Sequence, residues 1–288
     1  MTEARRTIAG TTVLEIADLR ILGPGGREIL RGIDLHLVAG RIQGLAGESG
    51  SGKTMTALAS LGLLPTTLRA SGSIRLLGDE LLGMRARQWN QVRGRRIAMV
   101  FQDPSTSLHP MLSIGAQLTD HARIHLRIGR AEARDRAAGL LARVRVPDPE
   151  GALRRYPHQF SGGQRQRIAI ACALMCEPEV LIADEPTTAL DVTVQAGVLR
   201  LLRGLADELG LAVLLVTHDL GVMSAVADDV AVMRAGRVEE SGERHQVFTA
   251  PRSDYTRALL AALPGSAEGV ETLDDVRALV AQEQGKLA

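Results

Sequence analysis

The chain has 288 residues, 45% hydrophobic and 23% charged, with a net charge of +1. That length suits one or two domains with a real core, and the composition is ordinary for a soluble globular protein. Near-neutral charge argues against a surface dominated by nucleic-acid electrostatics, no apolar run reaches the 18 residues of a membrane span, and Met1–Gly10 has no hydrophobic segment behind its arginines to read as a signal peptide.

In chain order, Val13–Leu22 and Ile29–Val38 carry partial apolar/polar alternation on either side of Gly23-Pro24-Gly25-Gly26. This predicts an antiparallel hairpin. It leads into a short apolar strand, Ile42–Ala46, then Gly47-Glu48-Ser49-Gly50-Ser51-Gly52-Lys53-Thr54, then a helix over Met55–Leu64. Further strands are predicted at Ser73–Leu77 and Ile97–Phe101, with a short helix at Trp89–Val92 between them. From Ile114 to Val146 the period becomes helical and arginine is dense, including Arg123, Arg127, Arg130, Arg134, Arg136, Arg143 and Arg145. These arginines are read as solvated helix faces partly paired with Glu132 and Asp135, in preference to a nucleic-acid surface. Pro147-Asp148-Pro149 closes this stretch, which reads as a helical insertion in an α/β frame.

Beyond it lie Ser161-Gly162-Gly163-Gln164, a helix over Arg165–Cys176, and the apolar strand Val180–Ala183 ending in Asp184-Glu185-Pro186. Cys172 and Cys176 are the only cysteines. They are too few for a disulfide scaffold or a metal site, so they read as small buried side chains in a reducing compartment. A long helix over Thr193–Leu209, a strand over Ala212–Thr217 ending at His218-Asp219, and a hairpin of Val230–Met233 with Arg237–Glu240 complete the frame. Strands alternating with helices predict a mostly parallel sheet covered on both faces. The tail beyond Pro264 is polar and acidic, with one short helix predicted over Leu273–Gln284.

The residues from Gly47 to Thr54 fit G-x-x-x-x-G-K-[ST] between a strand and a helix, the context that defines a phosphate loop. Curled backbone N–H groups and a helix N-terminus attract phosphate oxygens, Lys53 supplies a point charge, and the Thr54 hydroxyl can ligate Mg²⁺. Lysine occurs only here and at Lys286, in a chain that otherwise uses arginine. A compact ammonium fits among phosphates where a wide guanidinium does not. Asp184, at the end of a buried strand, is the acidic partner such a loop needs for Mg²⁺. Glu185 beside it has two readings, a carboxylate that polarises an attacking water or a helix-entry residue. His218 is either a γ-phosphate contact or a turn residue beside good cap formers. Ser161-Gly162-Gly163-Gln164 is either a second anion site at a helix N-terminus or a plain serine cap.

The ordered set GESGSGKT, Gln102, FSGGQ, VLIADE, Ala189-Leu190-Asp191 and His218 resembles the nucleotide-binding subunit of ABC transporters, over roughly Val13–Pro264. The resemblance implies an α/β P-loop NTPase with an antiparallel β subdomain and a helical subdomain at about 104–178, within an ATPase domain of residues 1–264 followed by a tail, 265–288. It implies that Gly47–Thr54 bind the phosphates of ATP and that Thr54, Gln102 and Asp184 surround Mg²⁺. Glu185 would be the general base and His218 would hold the γ-phosphate. Ser161–Gln164 would close on ATP held by a partner subunit, with Asp191 at the dimer seam.

Gln102-Asp103-Pro104-Ser105-Thr106-Ser107-Leu108-His109-Pro110, Val247-Phe248-Thr249-Ala250-Pro251 and Tyr255-Thr256-Arg257-Ala258-Leu259-Leu260 with Pro264 resemble the oligopeptide, dipeptide and nickel importer branch. That implies two membrane permeases, a second ATPase subunit and, indirectly, an extracytoplasmic binding protein. The subunit would sit peripherally on the cytoplasmic face of the cell membrane, with no nucleic-acid partner. Three departures stand out. No aromatic precedes Trp89, and Gly23 is near the place where the family stacks adenine; such a stack is worth roughly 1–3 kcal/mol. His109 stands where the branch commonly has Asn, and Ser253-Asp254 where it has His-Pro. No cysteine follows Cys176, which excludes the iron–sulfur cluster of some peptide-type members and leans toward nickel-type subunits. A soluble ABC ATPase acting on DNA or ribosomes is the alternative. The gap from Lys53 to Ser161 is too short for the coiled coil of DNA-repair types, and only one cassette is present.

Overall fold

The computed structural model describes residues 9–103, 107–188 and 190–262. Pro104–Thr106 of the importer-like motif, Ala189, Pro264, the tail from 265 and its predicted helix lie outside the described residues.

The two hairpin segments form β1 (Thr12–Leu22) and β2 (Glu28–Val38), antiparallel and turned through Gly23–Arg27, where the Gly23 amide donates to the Arg27 carbonyl at 2.8 Å. The phosphate loop sits between β3 (Ile42–Gly47), buried along its whole length, and α1 (Lys53–Ser60). This helix starts two residues earlier and ends four residues sooner than the periodicity predicts. Gly62, at φ +58°, donates to the Ala59 carbonyl at 3.0 Å, and Leu63 reaches back to Leu58 at 2.9 Å. That pair of bonds is a Schellman stop, which satisfies the last carbonyls and turns the chain away.

Next come β4 (Arg69–Leu76), β5 (Asp79–Glu80), α2 (Ala86–Val92) and β6 (Ile97–Val100). β4 is longer than predicted because it pairs with β1 from Leu22↔Arg69 to Leu14↔Leu76. The helical insertion comprises α3 (Ile114–Leu126), α4 (Arg130–Arg143), the single turn α5 (Pro149–Ala152) and α6 (Gly162–Leu174). Then follow β7 (Val180–Asp184), α7 (Val192–Leu209), β8 (Ala212–Val216), α8 (Leu220–Val226), β9 (Asp229–Arg234), β10 (Arg237–Glu243), α9 (Arg244–Thr249) and α10 (Asp254–Ala261). The last three helices, of six to eight residues, carry no clear sequence period.

Two sheets result. The larger runs β10-β9-β3-β8-β7-β6, parallel except for β10, and the smaller runs β2-β1-β4-β5, antiparallel. The period of two along each central strand divides the core in two. Ile42, Leu181, Ala183, Val213 and Leu215 face one way and pack with Ile114, Leu141, Ile168 and Leu202 of the covering helices. Leu45, Val180, Ile182, Leu214 and Val216 face the other way and pack with Ala57 of α1 and the inner face of the small sheet. Burial on both faces is why these strands read as continuous apolar runs. The carboxyl ends of β3, β7 and β8 therefore emerge side by side, where open α/β sheets present their ligand crevice.

Three of the insertion's arginines do pair, but with other partners than expected. Arg123 meets Asp120 at 3.5 Å, Arg134 meets Glu150 at 3.2 Å and Arg136 meets Glu177 at 2.8 Å. Neither Glu132 nor Asp135 takes part among the described residues. Glu150 and Glu177 lie outside the helices of the arginines they meet, while Asp120 is a neighbour of Arg123 on the same helix. Cys172 and Cys176 are both free, and burial pushes their thiols up to about 12 and about 11, so they remain protonated packing groups. Among the described residues no helix is long and apolar enough to cross a membrane.

Candidate functional site

Gly52 sits at φ +110°, and a Cβ there would meet Leu30 Cδ2 at 2.5 Å. Glycine at this corner satisfies both the backbone and the close approach of β2. The turn places Lys53 at the first position of α1, only 6% exposed, with its Nζ donating to the Gly47 carbonyl at 2.7 Å and the Glu48 carbonyl at 2.9 Å. Burial lowers its proton affinity, and the charges of Glu185 and Asp184 work against that. Ser51 Oγ is buried within the loop and has no hydrogen-bond partner among the described residues.

Asp184 ends β7, 7% exposed. Burial raises its carboxyl above the usual carboxylate range, against a hydrogen bond from Thr54. Its Oδ1 is buried and unpartnered among the described residues. An orphaned, desolvated carboxylate oxygen beside a threonine hydroxyl is a donor set that fits a hard divalent cation.

Glu185 follows at φ +47°, in the left-handed region that a residue other than glycine visits at a cost. Its amide donates to the Val216 carbonyl at 2.8 Å, which fixes the turn. The turn projects the carboxylate out of the sheet, where three donors converge on it. His218 Nδ1 lies 2.9 Å from Oε1, while Gln102 Nε2 at 2.9 Å and Thr188 Oγ1 at 3.0 Å reach Oε2. Burial alone would raise this carboxyl, but the bonds from His218 and Thr188 outweigh it and hold Glu185 below the usual range. His218 is free for this contact because Asp219 does the capping of α8, accepting from Gly221 at 2.8 Å and Val222 at 3.1 Å. Thr188 is the member of this cluster that sequence reading missed. Its only signal is its place three residues after Glu185, on the return of the same turn.

Ser161 and Gln164 form a capping box at the start of α6: the Ser161 amide donates to Gln164 Oε1 at 3.0 Å, and the Gln164 amide to Ser161 Oγ at 3.3 Å. Gly162 and Gly163 occupy its first helical turn. Among the described residues none of these four is hydrogen-bonded to the phosphate loop. Asp191 caps α7, accepting from the Val194 amide at 2.9 Å. At the expected adenine position, Gly23 lies between the aliphatic side chains of Ile29 and Leu68, 3.3 and 3.7 Å from where a Cβ would stand.

A glycine-cornered loop, a buried lysine at a helix N-terminus and a strand-end carboxylate beside it define a P-loop nucleotide-binding fold. The model of the ABC transporter family matches residues 30–188. The chain is 47% identical over 262 residues to the Sinorhizobium fredii protein named "Probable peptide ABC transporter ATP-binding protein y4tR", covering 89% of this chain and 78% of that one. It is 44% identical over 265 residues to the oligopeptide transport ATP-binding protein OppD of Salmonella typhimurium, covering 91% and 79%. Among solved structures, cbiO1 of Clostridium perfringens, part of the ABC transporter complex cbiONQ, superposes with a TM-score of 0.73 at 29% identity, over 88% of this chain and 96% of that one. A dimeric post-hydrolysis structure of the ATP-binding cassette MJ0796 bound to ADP and Pi gives 0.69 at 27%, over 80% and 98%. The chain belongs to the ABC transporter family.

Proposed function

We propose that this chain is the ATP-hydrolysing subunit of an ABC importer for peptides, nickel or a related small solute. The observation that carries the reading is the convergence of Gln102, Thr188 and His218 on Glu185, next to Lys53 and Asp184. Residues Gly47–Thr54 cradle the phosphates of ATP. Lys53 exchanges its two loop carbonyls for phosphate oxygens, which better match its charge. Thr54, Asp184 and the amide oxygen of Gln102 would hold Mg²⁺, which when bound neutralises charge on the β- and γ-phosphates.

Glu185, kept ionised, orients the attacking water and takes its proton. Because His218 Nδ1 donates to Glu185, its Nε2 donates to a γ-phosphate oxygen only when the ring carries both protons. Ser161–Gln164, separate from the loop, closes on ATP held by a second subunit with Asp191 at the seam; that the MJ0796 cassette is dimeric supports a two-subunit reading.

The permease side is supported by a groove of about 750 Å³ between β6 and the insertion. Phe101 and Leu112, exposed to 41% and 45%, line it, and Met111 stands beside them. An apolar, polar-rimmed hollow of this kind fits an amphipathic helix, here a cytoplasmic helix of a membrane permease. On this reading the subunit sits on the cytoplasmic face of the membrane, with an extracytoplasmic binding protein delivering cargo. The names of the OppD relatives favour peptide over nickel as cargo. The alternative of action on DNA or ribosomes is not favoured by any of these relatives.

The test is nucleotide affinity. Lys53→Ala should weaken ATP binding by at least tenfold in a fluorescence titration while the fold is retained. An unchanged dissociation constant would contradict the phosphate-loop assignment.

A further inference from the structure

A second cavity, about 760 Å³, lies on the other side of His121 from the docking groove. One wall is the segment from α2 to β6, carrying Arg93 and Arg95, and the other is the end of α3, carrying His121, His125 and Arg127. Among the described residues no acidic side chain lines it. In a chain with 34 basic and 33 acidic residues, five cationic or protonatable groups around one hollow are out of balance.

These groups are not equivalent. Arg93 is committed to structure: its Nε donates to the Leu61 carbonyl at 2.7 Å, a second nitrogen donates to Gly62, and the guanidinium stacks on Trp89 at 4.9 Å. His121 contacts the Gly94 carbonyl through Nε2 at 3.3 Å. Arg95 and Arg127, by contrast, have no ion-pair partner among the described residues. The rings of His121 and His125 are 4.6 Å apart. Burial lowers the proton affinity of His125, and the charges of His121 and Arg95 add to that, so the groups do face one another. The expected carboxylate partners for the insertion's arginines are elsewhere, and Arg127 is left without one.

We propose that this cavity is a binding site for a small molecule bearing a phosphate or carboxylate group, held between Arg95 of the core and Arg127 of the insertion. Guanidinium forks match the geometry of both oxyanions, and His125, whose proton affinity burial lowers, adds a neutral donor between them. The volume is that of a small-molecule pocket rather than of a single ion. One wall is tied through Arg93 to the carbonyls that end the phosphate-loop helix, and the other wall belongs to the insertion. A ligand bridging the two braces the insertion against the core. Occupancy therefore biases how the insertion moves against the nucleotide site.

The test uses inorganic phosphate and citrate as probes, titrated calorimetrically into full-length protein whose nucleotide site is saturated with ADP. At least one probe should bind saturably with one site per chain. Arg95→Gln with Arg127→Asn should weaken that binding at least tenfold while ADP affinity and melting temperature hold; Arg95→Gln alone serves if the pair fails to fold. Lys53→Ala, with no ADP bound, should keep the site, which separates it from the phosphate loop and from the transport reading. Absence of saturable binding by either probe overturns the proposal. So does binding that survives the arginine substitutions, or that is lost with Lys53→Ala in a folded protein.

Discussion

Glu185→Gln removes one charge and almost no volume, at a side chain that accepts three hydrogen bonds. A glutamine offers one acceptor oxygen. Placed where Oε2 stands, it keeps Thr188 and Gln102. Its amide then faces His218 Nδ1, which must become the acceptor, so the ring needs only the proton on Nε2. That tautomer still donates to a phosphate oxygen, so ATP affinity should stay within a few-fold of wild type. The proton acceptor for water is gone, however. Loss of general-base help is worth roughly 10²–10⁴ in kcat, or about 3–5 kcal/mol of transition-state stabilisation. The assay is single-turnover phosphate release alongside equilibrium ATP binding, both on the purified variant. Phosphate release within threefold of wild type would refute the role of Glu185, and a large loss of ATP affinity would refute the tautomer exchange at His218.

Two further perturbations probe the frame around the site. Gly62→Ala should cost roughly 2–5 kcal/mol, because φ is +58° and the new Cβ would stand 2.3 Å from the Trp89 ring; a shift in urea midpoint equivalent to less than about 0.5 kcal/mol would contradict that. Glu240, 7% exposed, clasps the chain before α10 by accepting from the Arg252 amide at 2.9 Å and the Ser253 amide at 3.1 Å. Burial would raise its carboxyl, but these bonds and the one from Gln246 bring it below the usual range. Its contribution is therefore complete above the ordinary glutamate value and is lost as pH falls through the lower folded value. Protection of the Arg252 and Ser253 amides against hydrogen exchange should fall over that acid window, and Glu240→Gln should remove the pH dependence. An unchanged pH trend in the variant would count against the clasp.

What the sequence made legible follows from where the signals are local. Val180–Asp184 and Ala212–Val216 are buried on both faces, so they appear as unbroken apolar runs. The phosphate loop is legible because Gly52, Lys53 and Thr54 act within one turn of each other. The cluster on Glu185 is not, since Gln102 and His218 come from positions 83 and 33 residues away. Only the packing of β6, β7 and β8 brings them together. The partners of the insertion's arginines were misplaced for the same reason: Glu150 and Glu177 are tertiary neighbours, unseen by helix spacing. The short helices α8 to α10 escaped because six to eight residues are too few to hold a helix alone. Buried Val247 and Phe248 and the Glu240 clasp supply what propensity does not.

The most direct measurement of the central claim is uptake in the native cell with the chromosomal copy replaced by Glu185→Gln. Accumulation of labelled oligopeptides, dipeptides and nickel would be followed, with the subunit's abundance checked by immunoblot. Loss of uptake of at least one of these solutes, with the protein still present at the membrane fraction, is the expected result. Undiminished uptake of all of them by cells carrying only the variant would contradict the assignment of this chain as the ATP-driven subunit of such an importer.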